Sequence, residues 1–276
     1  MVQSLDAAGI GTNKIKMKQF FQENGFLTPS FCIAQTIAEA FSHYDAFKSP
    51  YIIKVPNLSD GRKLGFIRTK ADLEKYFYEE VVQGPVIMEE YIEGHEVSTL
   101  VYHNFGNPLV FPVVSKPFTT YLKSDQGKLR KRLYITPDHS LSSELSHTIL
   151  QMALNLSQKM NNQYLLGIDI VIDKSGKPHI IECNARVTET LRMSMLAADK
   201  NVVKSMVNFA DIPCSTPFLE AVYLVIDMSN SQDSTKLYAH LGVKPQGVID
   251  GGERSSHKFK ISDGESEVIA SLHNEF

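Results

Sequence analysis

One segment, LLGIDIVIDKSGKPHIIECNAR (165–186), constrains the fold more than any other: two β-rich runs flank a Ser-Gly turn signal, and the pattern predicts an antiparallel hairpin. A two-residue turn at Ser175-Gly176 sets Asp173 against Pro178, Asp169 against Glu182 and Gly167 against Asn184. Because strand residues alternate faces, Glu182, Asn184 and Arg186 share one side, and Ile181 and Cys183 the other. Two carboxylates and an amide then meet on one patch, with facing Cβ atoms about 5 Å apart. Like charges directly opposite destabilise a sheet, and a hard divalent cation would resolve the conflict, since Mg²⁺ takes oxygen ligands from one or two carboxylates plus phosphates. Two acids facing water on an exposed strand is an equal reading of the hairpin alone.

The rest of the chain predicts alternating strands and helices. Residues 13–23 read as a helix stopped by Gly25, 31–34 as a strand, 36–46 as a helix and 51–55 as a strand. Thr69, with Asp72 three residues on, forms a capping-box signal for a helix to Glu80. The runs 86–91, 96–103 and 108–115 predict a three-stranded meander. Residues 123–132 hold five cations and one acid without periodicity, which suits a solvated loop or a flap over a negatively charged ligand. From 140 to 160 the apolar positions Leu145, Ile149, Met152 and Leu156 mark one face of a helix, and 191–209 also reads as helical. Beyond Asp211 come one apolar strand, a Ser/Asn-rich linker at 229–234 and a polar tail with Gly251-Gly252. The class is α+β with mainly antiparallel sheets.

Composition narrows the function. With 28 Lys+Arg against 31 Asp+Glu the net charge is −3, which argues against a nucleic-acid coat; the basic run also lacks interleaved aromatics. No apolar run approaches the ~20 residues of a membrane span, and no secretory signal opens the chain. Three widely spaced cysteines suit neither a disulfide framework nor a zinc site. A reduced, cytoplasmic protein is the expectation.

An ordered set of motifs resembles the ATP-grasp superfamily, in particular the carboxylate ligases related to biotin carboxylase and the large chain of carbamoyl-phosphate synthetase. Asn13-Lys14 opens a helix that ends at Gly25 before a Pro29 strand start; SPYIIK ends in Lys54; DGRKLG resembles the flexible glycine loop; VIMEEYIEGHE resembles the adenine linker and ribose acid; and Asp169 with IIECNAR resembles the metal-binding and catalytic end. The resemblance covers residues 12–210. It implies an ATP-grasp fold of two α+β lobes with antiparallel sheets clamping ATP: a helical lead-in over 1–30, a small lobe over 31–86, a large lobe over 87–210 and an extension over 211–276.

It implies ATP as nucleotide, with Mg²⁺, or Mn²⁺ in its place, on Asp169, Glu182 and Asn184. Lys14, Lys54 and Gly61 would hold phosphates. Glu89, Glu90, Tyr91 and Ile92 would line the adenine, and Glu96 would take the ribose hydroxyls. Arg186 and Asn184 would act at the reacting groups, Arg186 by neutralising developing charge; a salt bridge to Glu189 is its other reading. The implied activity activates a carboxylate as an acyl phosphate and joins it to an amine or similar nucleophile. A non-catalytic ATP-binding module and an ATP-grasp kinase are the alternatives. The pattern departs from the family at Lys63, where a glycine is common, at Asn13 for Asp and at Ala185 for Pro. Only about a dozen residues precede Lys14, so the usual N-terminal Rossmann-like domain is expected to be lacking; an upstream domain of a longer form or a partner protein supplies its surface, or the substrate is held otherwise. The sequence leaves the acid, the nucleophile and homo-oligomerisation open. Asp173→Asn, at the turn, is expected neither to remove ATP turnover nor to shrink the stabilisation that MgATP gives.

Overall fold

A computed structural model describes residues 3–44, 50–58, 62–82, 84–104, 107–124, 127–136, 140–188, 191 and 194, and the strands at 221–226, 248–250 and 255–259. For 104, 107, 117–124, 127–135 and those three last strands it describes the backbone alone. The chain forms two compact units, one of residues 1–94 and 154–187, the other of 95–153 and 188–276.

The first unit begins with α1 (Leu5–Gly11), capped by Ser4, and α2 (Lys14–Glu23), capped by Asn13, whose side chain accepts from the Ile15 and Lys16 amides. Gly25, at φ +72, ends α2 in the left-handed region that a residue with a Cβ avoids. A four-stranded antiparallel sheet follows, in the order β1-β4-β2-β3, from β1 (Phe31–Ala34), β2 (Tyr51–Lys54), β3 (Gly65–Ile67) and β4 (Val86–Glu90). One face packs Tyr51, Ile53, Ile67, Val86 and Met88 into a core with Ala40 of α3 (Ile37–Tyr44) and Leu73 and Tyr76 of α4 (Lys70–Glu80). The expected capping box is present at Thr69 and Asp72. The hairpin of β9 (Leu165–Asp173) and β10 (Pro178–Asn184) and the last turns of α5 (Ser143–Lys159) complete the unit.

The second unit is built on β5 (Gly94–Asn104), β6 (Asn107–Val110), β7 (Val114–Ser124), β8 (Gly127–Thr136), β11 (Ala221–Ile226), β12 (Val248–Asp250) and β13 (Ser255–Phe259). Its antiparallel order is β5-β7-β8-β11-β13-β12, with β6 also on β5.

Two sequence expectations change. The run 86–91 does not open a meander, because β4 pairs with β1 and β2, which lie earlier in the chain. The described residues of the basic run, 123–124 and 127–132, lie on two paired strands, Lys123 opposite Lys128 and Arg132 opposite Thr119; the charged residues there mask a strand alternation that only the ladder completes. The Gly251-Gly252 tail, the 229–234 linker and most of 191–209 lie outside the described residues.

The end of α4 carries one unfavourable local choice. Val81, its C-cap, sits at φ 46, ψ 54 and is 67% exposed, so a β-branched residue holds a conformation that suits glycine and no burial compensates. Val81→Gly is expected to raise stability by about 1 kcal/mol, seen as a melting temperature about 2 °C higher.

Candidate functional site

A buried ion cluster forms on the sheet face opposite the α3/α4 core. Ile52 pairs with Glu89, and Lys54 lies two residues on, so Lys54 and Glu89 share that face. Glu89 is 2% exposed and accepts from the Lys54 ammonium at both oxygens, each at 3.1 Å. Its Oε2 also lies 3.2 Å from Nζ of Lys18, one helical turn beyond Lys14 on α2. Burial holds the Lys18 ammonium down, from 10.5 to about 8; Glu89 offsets part of this, and Lys54 adds to it. Burial pushes the Glu89 carboxyl up, but the charges and hydrogen bonds of Lys54 and Lys18 outweigh it and hold the group below its ordinary value.

Lys18 also donates to Thr28 Oγ1 at 2.8 Å, and that hydroxyl donates to the Ile180 carbonyl at 2.8 Å. The Ile180 amide in turn donates to the Leu27 carbonyl at 2.8 Å. The segment around 27–28 therefore pairs with β10 and joins the ion cluster to the carboxylate hairpin.

That hairpin reaches the expected pairing by an unexpected route. Its turn is a three-residue loop closed by the Asp173 amide on the Lys177 carbonyl at 3.0 Å, with Gly176 at φ +82. Pro178 consequently faces Ile172, not Asp173. A bulge between Ile180 and Glu182 then takes up one residue, so Asp169 faces Glu182 and Asn184 faces Gly167 after all. The bulge also corrects the expected faces: Ile180 and Cys183 are both fully buried, and Ile181 is only half-buried.

Asp173 organises the turn. Its Oδ1 accepts from Ser175 N and Oγ and from Lys177 N, at 2.8, 2.7 and 3.0 Å, and its Oδ2 lies 2.8 Å from His179 Nε2. The Ser175 hydroxyl and then His179 lead the contacts that hold its carboxyl well below the usual range. These bonds give Asp173 a structural task in the turn. Asp173→Asn is expected to lower the melting temperature at neutral pH. A depressed carboxylate stabilises above its unfolded value near 4 and loses that contribution as pH falls through its folded value. The gap between variant and wild type should therefore close on acidification, which melts from pH 7 downward would register.

Glu182 has a second neighbour. Nζ of Lys14 lies 3.6 Å from its Oε2 and donates to the Leu58 carbonyl at 2.6 Å. The Lys14 amide donates to Pro56, and Asn13 Nδ2 donates to Asn57 Oδ1, so the start of α2 is tied to the stretch leading into the glycine loop. Gly61 of that loop lies outside the described residues. Asp169, Glu182 and the 8%-exposed Asn184 offer the oxygen donors a hard divalent cation takes alongside phosphates, and in that respect they fit Mg²⁺. Among the described residues no group of three His, Cys, Asp or Glu side chains could hold a metal ion by itself.

Of the other expected residues, Glu90 and Tyr91 close the β4 end, their amides donating to the Ser30 and Pro50 carbonyls. The Tyr91 ring lies 4.9 Å from Phe66, which the Arg68 guanidinium covers at 4.8 Å. Ile92 is half-buried. Glu96 is exposed on β5 in the second unit, and its ribose role rests on the resemblance alone. Arg186 is exposed and donates to the Val187 carbonyl at 3.1 Å; Glu189 lies outside the described residues. Sequence reasoning missed Lys18 and Thr28. The signal for Lys18 was its place four residues after Lys14, one turn along the same helix face.

Among the described residues no helix is long and apolar enough to cross a membrane. A D-alanine–D-alanine ligase of Neisseria meningitidis is 24% identical over 211 residues, 75% of this chain and 66% of that ligase. A phosphoribosylamine–glycine ligase of Leifsonia xyli is 32% identical over 121 residues, 44% of this chain and 29% of the ligase. The chain thus spans just under two thirds of the first relative and under one third of the second. Among solved structures, the N5-carboxyaminoimidazole synthase of Aspergillus clavatus, in complex with ADP and 5-aminoimidazole ribonucleotide, superposes with a TM-score of 0.77 at 12% identity, covering 99% of this chain and 74% of that one. Biotin carboxylase of Campylobacter jejuni gives 0.68 at 17% identity, covering 83% and 54%. These likenesses establish an α+β ATP-grasp fold with antiparallel sheets. With the sequence model of the ATP-grasp domain matching residues 11–190, the chain belongs to the ATP-grasp family.

Proposed function

We propose that this chain is the nucleotide-binding and catalytic core of an ATP-dependent ligase that joins a small carboxylate to an amine or similar nucleophile. The observation that carries this reading is the placement, within one compact unit, of Lys14 beside Glu182, which faces Asp169, and of a second, buried lysine, Lys54, held by Glu89. The named relatives, a D-alanine–D-alanine ligase and a phosphoribosylamine–glycine ligase, both join a carboxylate to an amine, which supports the reaction class.

A carboxylate is a poor electrophile. Transfer of the γ-phosphoryl of ATP to its oxygen makes an acyl phosphate and ADP, and attack by the nucleophile then releases phosphate. Such transfers depend on positioning and charge stabilisation, with little covalent work for the protein. Lys54 and Lys14 would place compact charges on phosphate oxygens. Mg²⁺ or Mn²⁺ held by Asp169, Glu182 and Asn184 would supply charge neutralisation at the phosphates. Main-chain groups of 89–92 would face the adenine, and Arg186 would face the reacting carboxyl.

The test is ADP release from ATP and Mg²⁺ with a panel of small carboxylates, each with and without amines. A ligase releases ADP fully only when both are present. Turnover with the acid alone, yielding a stable phosphorylated product, would make it a kinase. Tight ATP binding without turnover under any pairing would make it a binding module.

A further inference from the structure

Glu89 carries a burden that the site as described leaves unexplained. It is one anion held by two buried cations, so the cluster has a surplus of one positive charge. Lys18 is 1% exposed and cannot reach a ligand. Lys54, at 8% exposure, sits at the cluster's margin. Without Lys18, Lys54 and Glu89 would form a neutral pair, and an arriving phosphate would meet a lysine whose charge was already matched. With Lys18, the carboxylate stays neutralised when Lys54 turns away. Charges in such a dry site act strongly, so the surplus favours an anion beside Lys54. Thr28 fixes the Lys18 ammonium in place, because its hydroxyl accepts a hydrogen bond from Lys18 and donates one to the Ile180 carbonyl at the start of the bulge.

We propose that Lys18 is a positioning residue: by neutralising Glu89 it frees Lys54 for a phosphate. The proposal rests on the reading of Lys54 as a phosphate lysine. It assigns Lys18 no contact with the nucleotide.

The experiment titrates wild type, Lys18→Arg, Lys18→Met and the double variant Lys18→Met/Glu89→Gln with MgATP and, separately, with adenosine, which lacks phosphates. Lys18→Met should weaken ATP by about ten- to a hundredfold, the range for a hydrogen bond to a charged group, and leave adenosine unchanged. Lys18→Arg should stay near wild type. The double variant should recover most ATP affinity, because an amide no longer holds Lys54. It leaves no buried anion unpaired, so it carries the test should Lys18→Met fail to fold. ATP binding undiminished in Lys18→Met, equal loss of ATP and adenosine, or a double variant that does not fold or does not recover would overturn the proposal. Wild type binding ATP no better than adenosine would instead overturn the phosphate-site reading beneath it.

Discussion

Glu89→Gln is expected to lower the folding stability by about 3–5 kcal/mol, the cost of removing one partner from a buried ionic group. The amide keeps the volume but leaves Lys18 and Lys54 without a buried anion, and Lys18 has no path to solvent at 1% exposure. That loss is a large share of the ~5–15 kcal/mol that holds a typical domain together. The effect should depend on pH in a stated direction. The Lys18 ammonium already sits at about 8 in the folded protein against 10.5 in its ordinary state, and losing Glu89, which raises it, takes it lower. A lysine depressed on folding opposes stability fully below its folded value and ceases to do so as pH rises toward its unfolded value. The deficit of the variant should therefore be greatest on the acid side, shrink as pH rises toward about 8 and stay level above it. Urea midpoints at four pH values between 6 and 9.5 would show this. A deficit that stayed constant, or grew on the alkaline side, would mean that the cost arises from packing and not from charge.

What the sequence disclosed, and what it hid, follows the range of the interactions involved. The helix starts at Asn13 and Thr69 and the stop at Gly25 depend on residues within one turn, and each stands where local chemistry puts it. The Asp169/Glu182 pairing was legible for a weaker reason. The two-residue turn was wrong by one residue, and the bulge at Ile181 was unforeseen; the two departures cancel. A bulge is chosen by what lies beside the strand, here Leu27 and Thr28, more than 150 residues away in the chain, and periodicity cannot report that. Lys18 was hidden for the same reason. On its helix it is one of three lysines, Lys14, Lys16 and Lys18; the four-residue step puts it on the Lys14 face, but only the tertiary placement of Glu89 makes it the buried one. Glu89 sits in the linker motif beside Glu90, and nothing in the motif shows that its side chain points at two ammonium groups whereas that of Glu90 is exposed.

Replacement of Glu182 by Gln is expected to cut ATP turnover by about a hundredfold or more while leaving the fold in place. The size follows from the several kcal/mol that metal-assisted charge neutralisation is worth at a phosphoryl group, at 1.36 kcal/mol for each tenfold. The stability term is nearly balanced. Glu182 faces Asp169, so the amide relieves repulsion between like charges, but it also gives up the attraction of Lys14 at 3.6 Å. Both are partly solvated, with side-chain exposures of 14% and 24% for Lys14 and Glu182, and the net change should stay within about 0.5 kcal/mol. The stabilisation that MgATP confers by binding only the folded state should shrink in the variant, and Asp169→Asn should behave in the same way. Asp173→Asn supplies the contrast: it should lower the melting temperature of the free protein and keep the full MgATP shift, because its bonds lie within the turn. Melting curves of the three variants, with and without MgATP, separate these patterns. A Glu182→Gln protein that kept the whole MgATP-dependent shift would remove the metal role from the Asp169/Glu182 pair and leave Lys14 as the partner that explains why Glu182 is there.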